Sequence, residues 1–348
     1  MNTLEEMQAA GHEQVTYFHD EQTGLRAIVA IHSTRLGPAL GGCRVWPYES
    51  EEAALYDVLR LSRGMTYKNA AMGLPLGGGK AVIIADSRTQ KTPALFEAFG
   101  RAVERLGGRY ITAEDVGTEP EDMMAVSRVT KHVAGLPATS GDPSPATAFG
   151  VYSGMRAALK RAFGSDDVAG RRVAVQGLGA VGMSLCARLH EDGAELIVTD
   201  IAQARLDRAV EEFGATAVGS DEIYGVECDV FAPCALGAVI NDGTLPRLKA
   251  RVIAGSANNQ LAEARHADAL SERGIVYAPD FIINGGGVIN VAAELEPGGY
   301  DKERAYARVA GIGSKVAAAL RLADERGISA DAAAVLMAEE RLNAAQGG

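Results

Sequence analysis

Two lysines and an aspartate stand at spacings that could do chemistry. Lys68 lies in Met65-Thr66-Tyr67-Lys68-Asn69, and Lys80 follows twelve residues later, directly behind Gly77, Gly78 and Gly79. Both flank a loop read as 70–79, so two ammonium groups can converge on one pocket. In such a pair one lysine stays charged and binds a carboxylate. The other, pushed toward neutrality by burial and by its like-charged neighbour, can act as a base. Asp115, in Thr112-Ala113-Glu114-Asp115-Val116-Gly117, falls just past a strand, where a site on a parallel sheet would lie. The glycine run is expected to clear space for something that must come close. A phosphate-binding P-loop is excluded: the positions that need Gly and Ser/Thr hold Leu74 and Ala81, and the order is loop then strand.

The phosphate signal lies elsewhere. The strand Arg172-Val173-Ala174-Val175-Gln176 runs into Gly177-Leu178-Gly179-Ala180-Val181-Gly182, and a helix follows. A second strand, 195–199, ends at Asp200, 18 residues after the last glycine. This context marks a dinucleotide fingerprint. Gly177 permits the tight turn, Gly179 lets the backbone approach a pyrophosphate, and Gly182 lets helix and strand pack closely. Asp200 can accept ribose hydroxyls and would repel a 2′-phosphate, which favours NAD over NADP, although Arg205 lies near.

These groups need elements to hold them. The 348 residues favour two domains. The N-terminal part reads as mixed α/β: a hairpin 15–18 and 25–31, a helix 51–65, a strand 81–85, a helix 93–106 and a strand 110–113. The Gly-, Pro- and Ser-rich stretch 135–146 reads as a linker. A helix then starts near Pro145 and runs to about Phe163. Beyond it, strands at 172–176, 195–199, 228–232, 251–255 and 275–277 alternate with helices, as in a doubly wound parallel sheet. The fold class is thus α/β: a mixed substrate domain and a Rossmann-type NAD-binding domain with a cleft between them. The domains are placed at 1–134 and 135–329.

Lys plus Arg total 34 against 45 Asp plus Glu, a net charge of −11. That argues against nucleic acid or an anionic membrane as partner. No apolar run has the length of a membrane span, and the acidic N-terminus lacks a signal peptide's apolar region. A cytoplasmic protein is expected. Cys43, Cys186, Cys228 and Cys234 form no C-x-x-C pair and read as reduced thiols, and no histidine pattern argues for a metal.

The chain resembles the amino-acid dehydrogenases of the glutamate/leucine/phenylalanine/valine group. The resemblance spans about 14–343, and its strongest segments are GPALGGCRVW (37–46), MTYKNAAMGLPLGGGK (65–80), GRYITAEDVGT (108–118) and SGDPSPATAFGVYSGM (140–155), then ECDVFAPCALGAVIND (227–242), VIAGSANNQL (252–261) and GIVYAPDFIINGGGVINVA (274–292). It implies NAD-dependent oxidative deamination of leucine and other branched-chain L-amino acids. Lys68, helped by Gly41 and Gly42, would bind the substrate carboxylate. Lys80 would be the general base and Asp115 a proton-transfer partner. Leu40, Ala113 and Val291 would line the side-chain pocket, with Asn259 at the substrate. Thr147, Ala235 and Asn258 would join the glycine loop around the cofactor. A homo-oligomer, up to an octamer, is implied, as is a C-terminal segment, 330–348, that packs back on the first domain. Three departures bear on substrate choice: Pro75 where leucine-acting members usually carry Asn, Cys43 for a usual Thr, and Gly182 where Ala is frequent. The rival activities are phenylalanine deamination and a non-catalytic NAD-binding sensor or scaffold.

Overall fold

The protein is described here by a computed structural model covering residues 3–345. It divides into two compact units. The first takes the chain up to Asp142, then Val291–Tyr300 and the segment from Ala338 onward; the second takes Pro143–Asn290 and Asp301–Met337.

The first unit is built on six strands: β1 (Gln14–Asp20), β2 (Leu25–Ser33), β3 (Ala39–Leu40), β4 (Cys43–Trp46), β5 (Gly77–Ile84) and β6 (Tyr110–Ile111). Their order is β1-β2-β5-β3-β6, with β4 also on β5. β1, β2 and β5 pair antiparallel; β3 and β4 run parallel to β5, and β6 parallel to β3. Both faces are covered. Phe96, Phe99 and Met123, from the helices Pro93–Glu104 and Pro120–Ser127, pack with Tyr110 on one face. On the other, Leu55, Val58 and Leu59 pack on Ile28, Ala30 and Val82.

The helix carrying those leucines runs Glu51–Met72, seven residues past its expected end at 65. Ser50 caps its start, and Gly73, at φ 76°, ends it. Between them Thr66, Asn69 and Ala70 continue the buried stripe beyond Gly64, which the helix tolerates. Lys68 is therefore a helix residue, and the loop shrinks to 73–76. Pro75, exposed two positions after the cap glycine, is where proline often follows a helix end. β5 also starts earlier than expected, at Gly77 instead of Ala81, so Lys80 sits inside the strand.

The second unit is an all-parallel sheet. Its strands are β7 (Arg172–Gln176), β8 (Glu195–Thr199), β9 (Thr216–Ala217), β10 (Val230–Pro233), β11 (Val252–Ile253) and β12 (Val276–Tyr277), in the order β12-β11-β10-β7-β8-β9. β9 escaped the sequence reading because its two residues are exposed and form no apolar run. The order reverses direction between β7 and β10, the place where ligands bind in such sheets. The helix Ser144–Phe163 starts where Pro145 placed it. Among the described residues, no helix is long and apolar enough to cross a membrane.

Candidate active site

The glycines around Lys80 are packing devices. A Cβ on Gly77 would lie 1.9 Å from the Ser33 carbonyl oxygen, one on Gly78 2.0 Å from the Thr66 nitrogen, and one on Gly79 2.8 Å from the Tyr110 ring. The expectation that they clear space for a ligand is corrected: protein atoms fill that space. Gly41 and Gly42 behave alike, with a Cβ meeting the Gly79 oxygen at 1.8 Å and the Glu114 oxygen at 2.2 Å. Tyr110, fully buried, donates its hydroxyl to the Gly41 carbonyl at 2.5 Å. The Gly41 N–H donates to the Ile111 carbonyl, and the Gly42 carbonyl accepts from the Ala81 N–H.

These contacts wedge β5 between its neighbours and bury Lys80 to 5% exposure. Its Nζ lies 2.9 Å from Oδ1 of Asp115. The other carboxylate oxygen of Asp115 accepts from Nε of Arg44, also at 2.9 Å. Thr118 anchors the Asp115 main chain, accepting from its N–H and donating to its carbonyl. Burial alone would raise the Asp115 carboxyl, but Lys80 and then Arg44 outweigh it and hold it below its ordinary value. Cys43, between the glycines and Arg44, is fully buried, and burial keeps its thiol protonated.

The structure thus joins Lys80 to Asp115. Lys68 lies half-buried on the helix, two residues beyond the Thr66 that touches Gly78. Leu40 is a core residue of β3, paired with Gly78 and Ile111. Ala113 is half-buried, its carbonyl accepting from the Cys43 N–H, and Val291 is buried. In the second unit Asn258 and Asn259 are exposed. Asn284 donates to Oδ1 of Asn258 at 2.8 Å, and Asn259 adopts φ 51°, a left-handed conformation that costs a non-glycine residue energy.

The loop after β7 joins that strand to the helix Ala180–Glu191. Gly177, at φ 97°, faces Ala235 after β10, and a Cβ there would meet that side chain at 2.6 Å. A Cβ on Gly182 would strike the Gly177 oxygen at 2.0 Å, so that glycine serves helix–strand packing. Gly179 differs, because a Cβ there meets nothing within 4 Å. It precedes the helix Ala180–Glu191, whose first turn has no side-chain cap. Open space before an uncapped helix start suits a phosphate group. A cavity of about 540 Å³ begins there, lined by Leu178, Gly179, Ala180, Arg205 and Arg208 among others. Asp200 accepts from the Leu178 N–H at 2.6 Å and the Ala202 N–H at 2.8 Å, and Arg205 lies 3.6 Å away. Val181 is half-buried on the helix. Thr147 donates its hydroxyl to the Pro143 carbonyl within its own helix start.

A different grouping, Asp242, Glu263 and His266, has ligand atoms within 4.8 Å of one another. The Arg265 guanidinium already bonds both carboxylates there.

Known proteins match both parts of the chain. Residues 12–132 match the model of a Glu/Leu/Phe/Val dehydrogenase dimerisation domain. Residues 140–204 and 198–346 match that of Glutamate/Leucine/Phenylalanine/Valine dehydrogenase. The chain belongs to the Glu/Leu/Phe/Val dehydrogenase family. It is 57% identical to leucine dehydrogenase of Bacillus subtilis (strain 168) over 98% of this chain and 94% of that one. With leucine dehydrogenase of Geobacillus stearothermophilus it shares 58% identity over the same proportions. Among solved structures, L-tryptophan dehydrogenase from Nostoc punctiforme superposes with a TM-score of 0.86 at 45% identity, covering 99% of both chains.

Within this Glu/Leu/Phe/Val dehydrogenase, the sequence reading missed Arg44, Tyr110 and Asn284. Arg44 is separated from Asp115 by 71 positions, so no local spacing could announce it. Tyr110 looked like one more apolar strand residue. Asn284 carried no signal beyond its proximity to the glycines at 285–287.

Proposed function

We propose that the protein is an NAD-dependent leucine dehydrogenase that also accepts other branched-chain L-amino acids. The full-length match to leucine dehydrogenases carries this reading, and the buried Lys80–Asp115 pair supplies chemistry to go with it. The overall reaction takes an L-amino acid, NAD⁺ and water to a 2-oxo acid, ammonium, NADH and a proton. NAD serves as the hydride acceptor. Its pyrophosphate would rest at Gly179 and the start of the helix Ala180–Glu191, and its ribose at Asp200.

The chain's own residues do the rest. Lys68, helped by Gly41 and Gly42, pairs with the substrate carboxylate. Lys80 accepts the proton of the substrate amine, so that the nitrogen lone pair drives hydride loss from Cα. Once it has released that proton to solvent, Lys80 takes a proton from the water that attacks the iminium carbon. Asp115, 2.9 Å from Lys80, passes protons to the departing ammonia. Leu40, Ala113 and Val291 set the side-chain pocket, and Leu40 narrows it toward branched aliphatic chains. One methylene is worth about 1–3 kcal/mol in such pockets, so leucine, isoleucine and valine should all be turned over. The dimerisation-domain match indicates self-association; an octamer, working in the cytoplasm, is our reading.

The test is NADH formation at alkaline pH with leucine, valine and phenylalanine in parallel. Leucine and valine should lead. A strong phenylalanine preference would move the protein within its family, and no signal with any substrate would make it an NAD-binding sensor. Lys80→Ala should lower kcat by several powers of ten, because it removes the base; near wild-type turnover would refute the assignment.

A further inference from the structure

The Lys80–Asp115 pair is one end of a longer chain of alternating charge. Asp115 gives Oδ1 to Lys80 and Oδ2 to Arg44, each at 2.9 Å. Arg44 also reaches Oδ2 of Asp57 at 2.8 Å. Asp57 accepts from the Tyr48 hydroxyl at 2.6 Å and from Arg60 at 3.1 Å. The Arg44 and Asp57 side chains are 21% and 15% exposed, so little water competes for these bonds.

If Lys80 is the base, its neighbour poses a problem. A carboxylate 2.9 Å away favours the ammonium form. It therefore grips the proton that the lysine must release. A second cation on the same carboxylate relieves that grip, and Arg44 holds that position. Its guanidinium cannot lose its own charge, and its planar fork matches two carboxylates at once.

We propose that Arg44 is a positioning residue for this reaction: fixed by Asp57, it shares the Asp115 carboxylate, keeps it anionic when Lys80 is neutral, and loosens its hold on the Lys80 proton. This rests on Lys80 acting as the base. Other groups around the chain leave the assignment to Arg44. From β4, Cys43 is kept protonated by burial, as is Tyr110 from β6. The helix Glu51–Met72 contributes Asp57 and Arg60, and the turn before it Tyr48, also held protonated by burial and by Asp57. Glu114, the residue before Asp115, is pushed up to about 7 by burial and then by Asp142 and nearby acids.

The experiment compares wild type, Arg44→Met and Arg44→Lys in two ways: kcat against pH with L-leucine and NAD, and competitive acetylation of Lys80 in the resting protein, read by peptide mass spectrometry. Arg44→Met should move both profiles about one pH unit toward alkali. Arg44→Lys keeps the charge without the fork and should move them by less than half as much. If Arg44→Met does not fold, Arg44→Lys still shows the smaller shift or its absence. An even drop in kcat across pH, with the Lys80 labelling profile unmoved, overturns the proposal. Lys80→Ala run alongside separates the two ideas: full activity there would remove Lys80 as base, whereas the labelling profile reports the Arg44 effect without turnover.

Discussion

Replacing one glycine by alanine at two positions should give opposite results. In Gly78→Ala the new methyl carbon would stand 2.0 Å from the Thr66 nitrogen and 2.2 Å from its hydroxyl. Ordinary contact begins near 3.4 Å, so backbone must move by more than 1 Å. β5 has little freedom to do so, because it pairs with β2, β3 and β4. Overpacking of this kind costs about 1–3 kcal/mol, occasionally more, and the backbone contact puts Gly78→Ala at the upper end. With roughly 2–4 °C of Tm per kcal/mol in a large domain, the melt should fall by about 6–12 °C. In Gly179→Ala the methyl meets nothing within 4 Å, and φ is −66°, which alanine adopts freely. Restricting the unfolded chain should then stabilise by about 0.4–1 kcal/mol. The same methyl would stand where the pyrophosphate must approach, so KM for NAD should rise at least about tenfold, or 1.4 kcal/mol. Thermal melts and NAD titrations at saturating leucine measure both. A Gly179→Ala protein with unchanged KM for NAD, or a Gly78→Ala protein melting with wild type, would refute the division of labour drawn between the two glycine clusters.

Other expectations can be checked alongside. His32 is held at about 4, first by burial and then by its neighbour His12, so the folded protein resists protonating it. An unfolded chain takes that proton below about 6.5. Stability from this residue is therefore complete above pH 6.5 and declines as pH falls toward 4, by about 3 kcal/mol in all; His32→Gln should flatten that acid limb in urea titrations. Asp200→Ala removes the acceptor of the Leu178 N–H and the repulsion of a 2′-phosphate. It should raise KM for NAD about 10- to 100-fold and narrow the NAD-to-NADP ratio, and an unchanged ratio would count against the ribose role.

The dinucleotide loop could be read early because its logic is local. Turn, open position and packing position lie within six residues, between a strand and a helix that their own apolar patterns announce. The long helix from Ser144 was equally plain. The neighbourhood of Lys80 was harder. Three glycines argue against a strand by propensity, yet β5 begins at Gly77. The preference is overridden because only glycine allows Ser33, Thr66 and Tyr110 to come so close. Lys68 fell beyond the expected helix end at 65 for a related reason: the polar residues after 65 hide a stripe that becomes visible once the sheet is packed against it.

Residue types and order pointed to the class of chemistry: a lysine behind three glycines, an acid after a strand, and a phosphate turn followed by an acid that favours NAD. Those features are properties of short segments. The partnership of Lys80 with Asp115, and of Asp115 with Arg44 and Asp57, was decided by the fold. It brings positions 44, 57, 80 and 115 from two strands, a helix and a loop to hydrogen-bonding distance. Burial there makes each charge depend on its neighbour. No spacing along the chain encodes that dependence, because it arises where separate elements exclude water together.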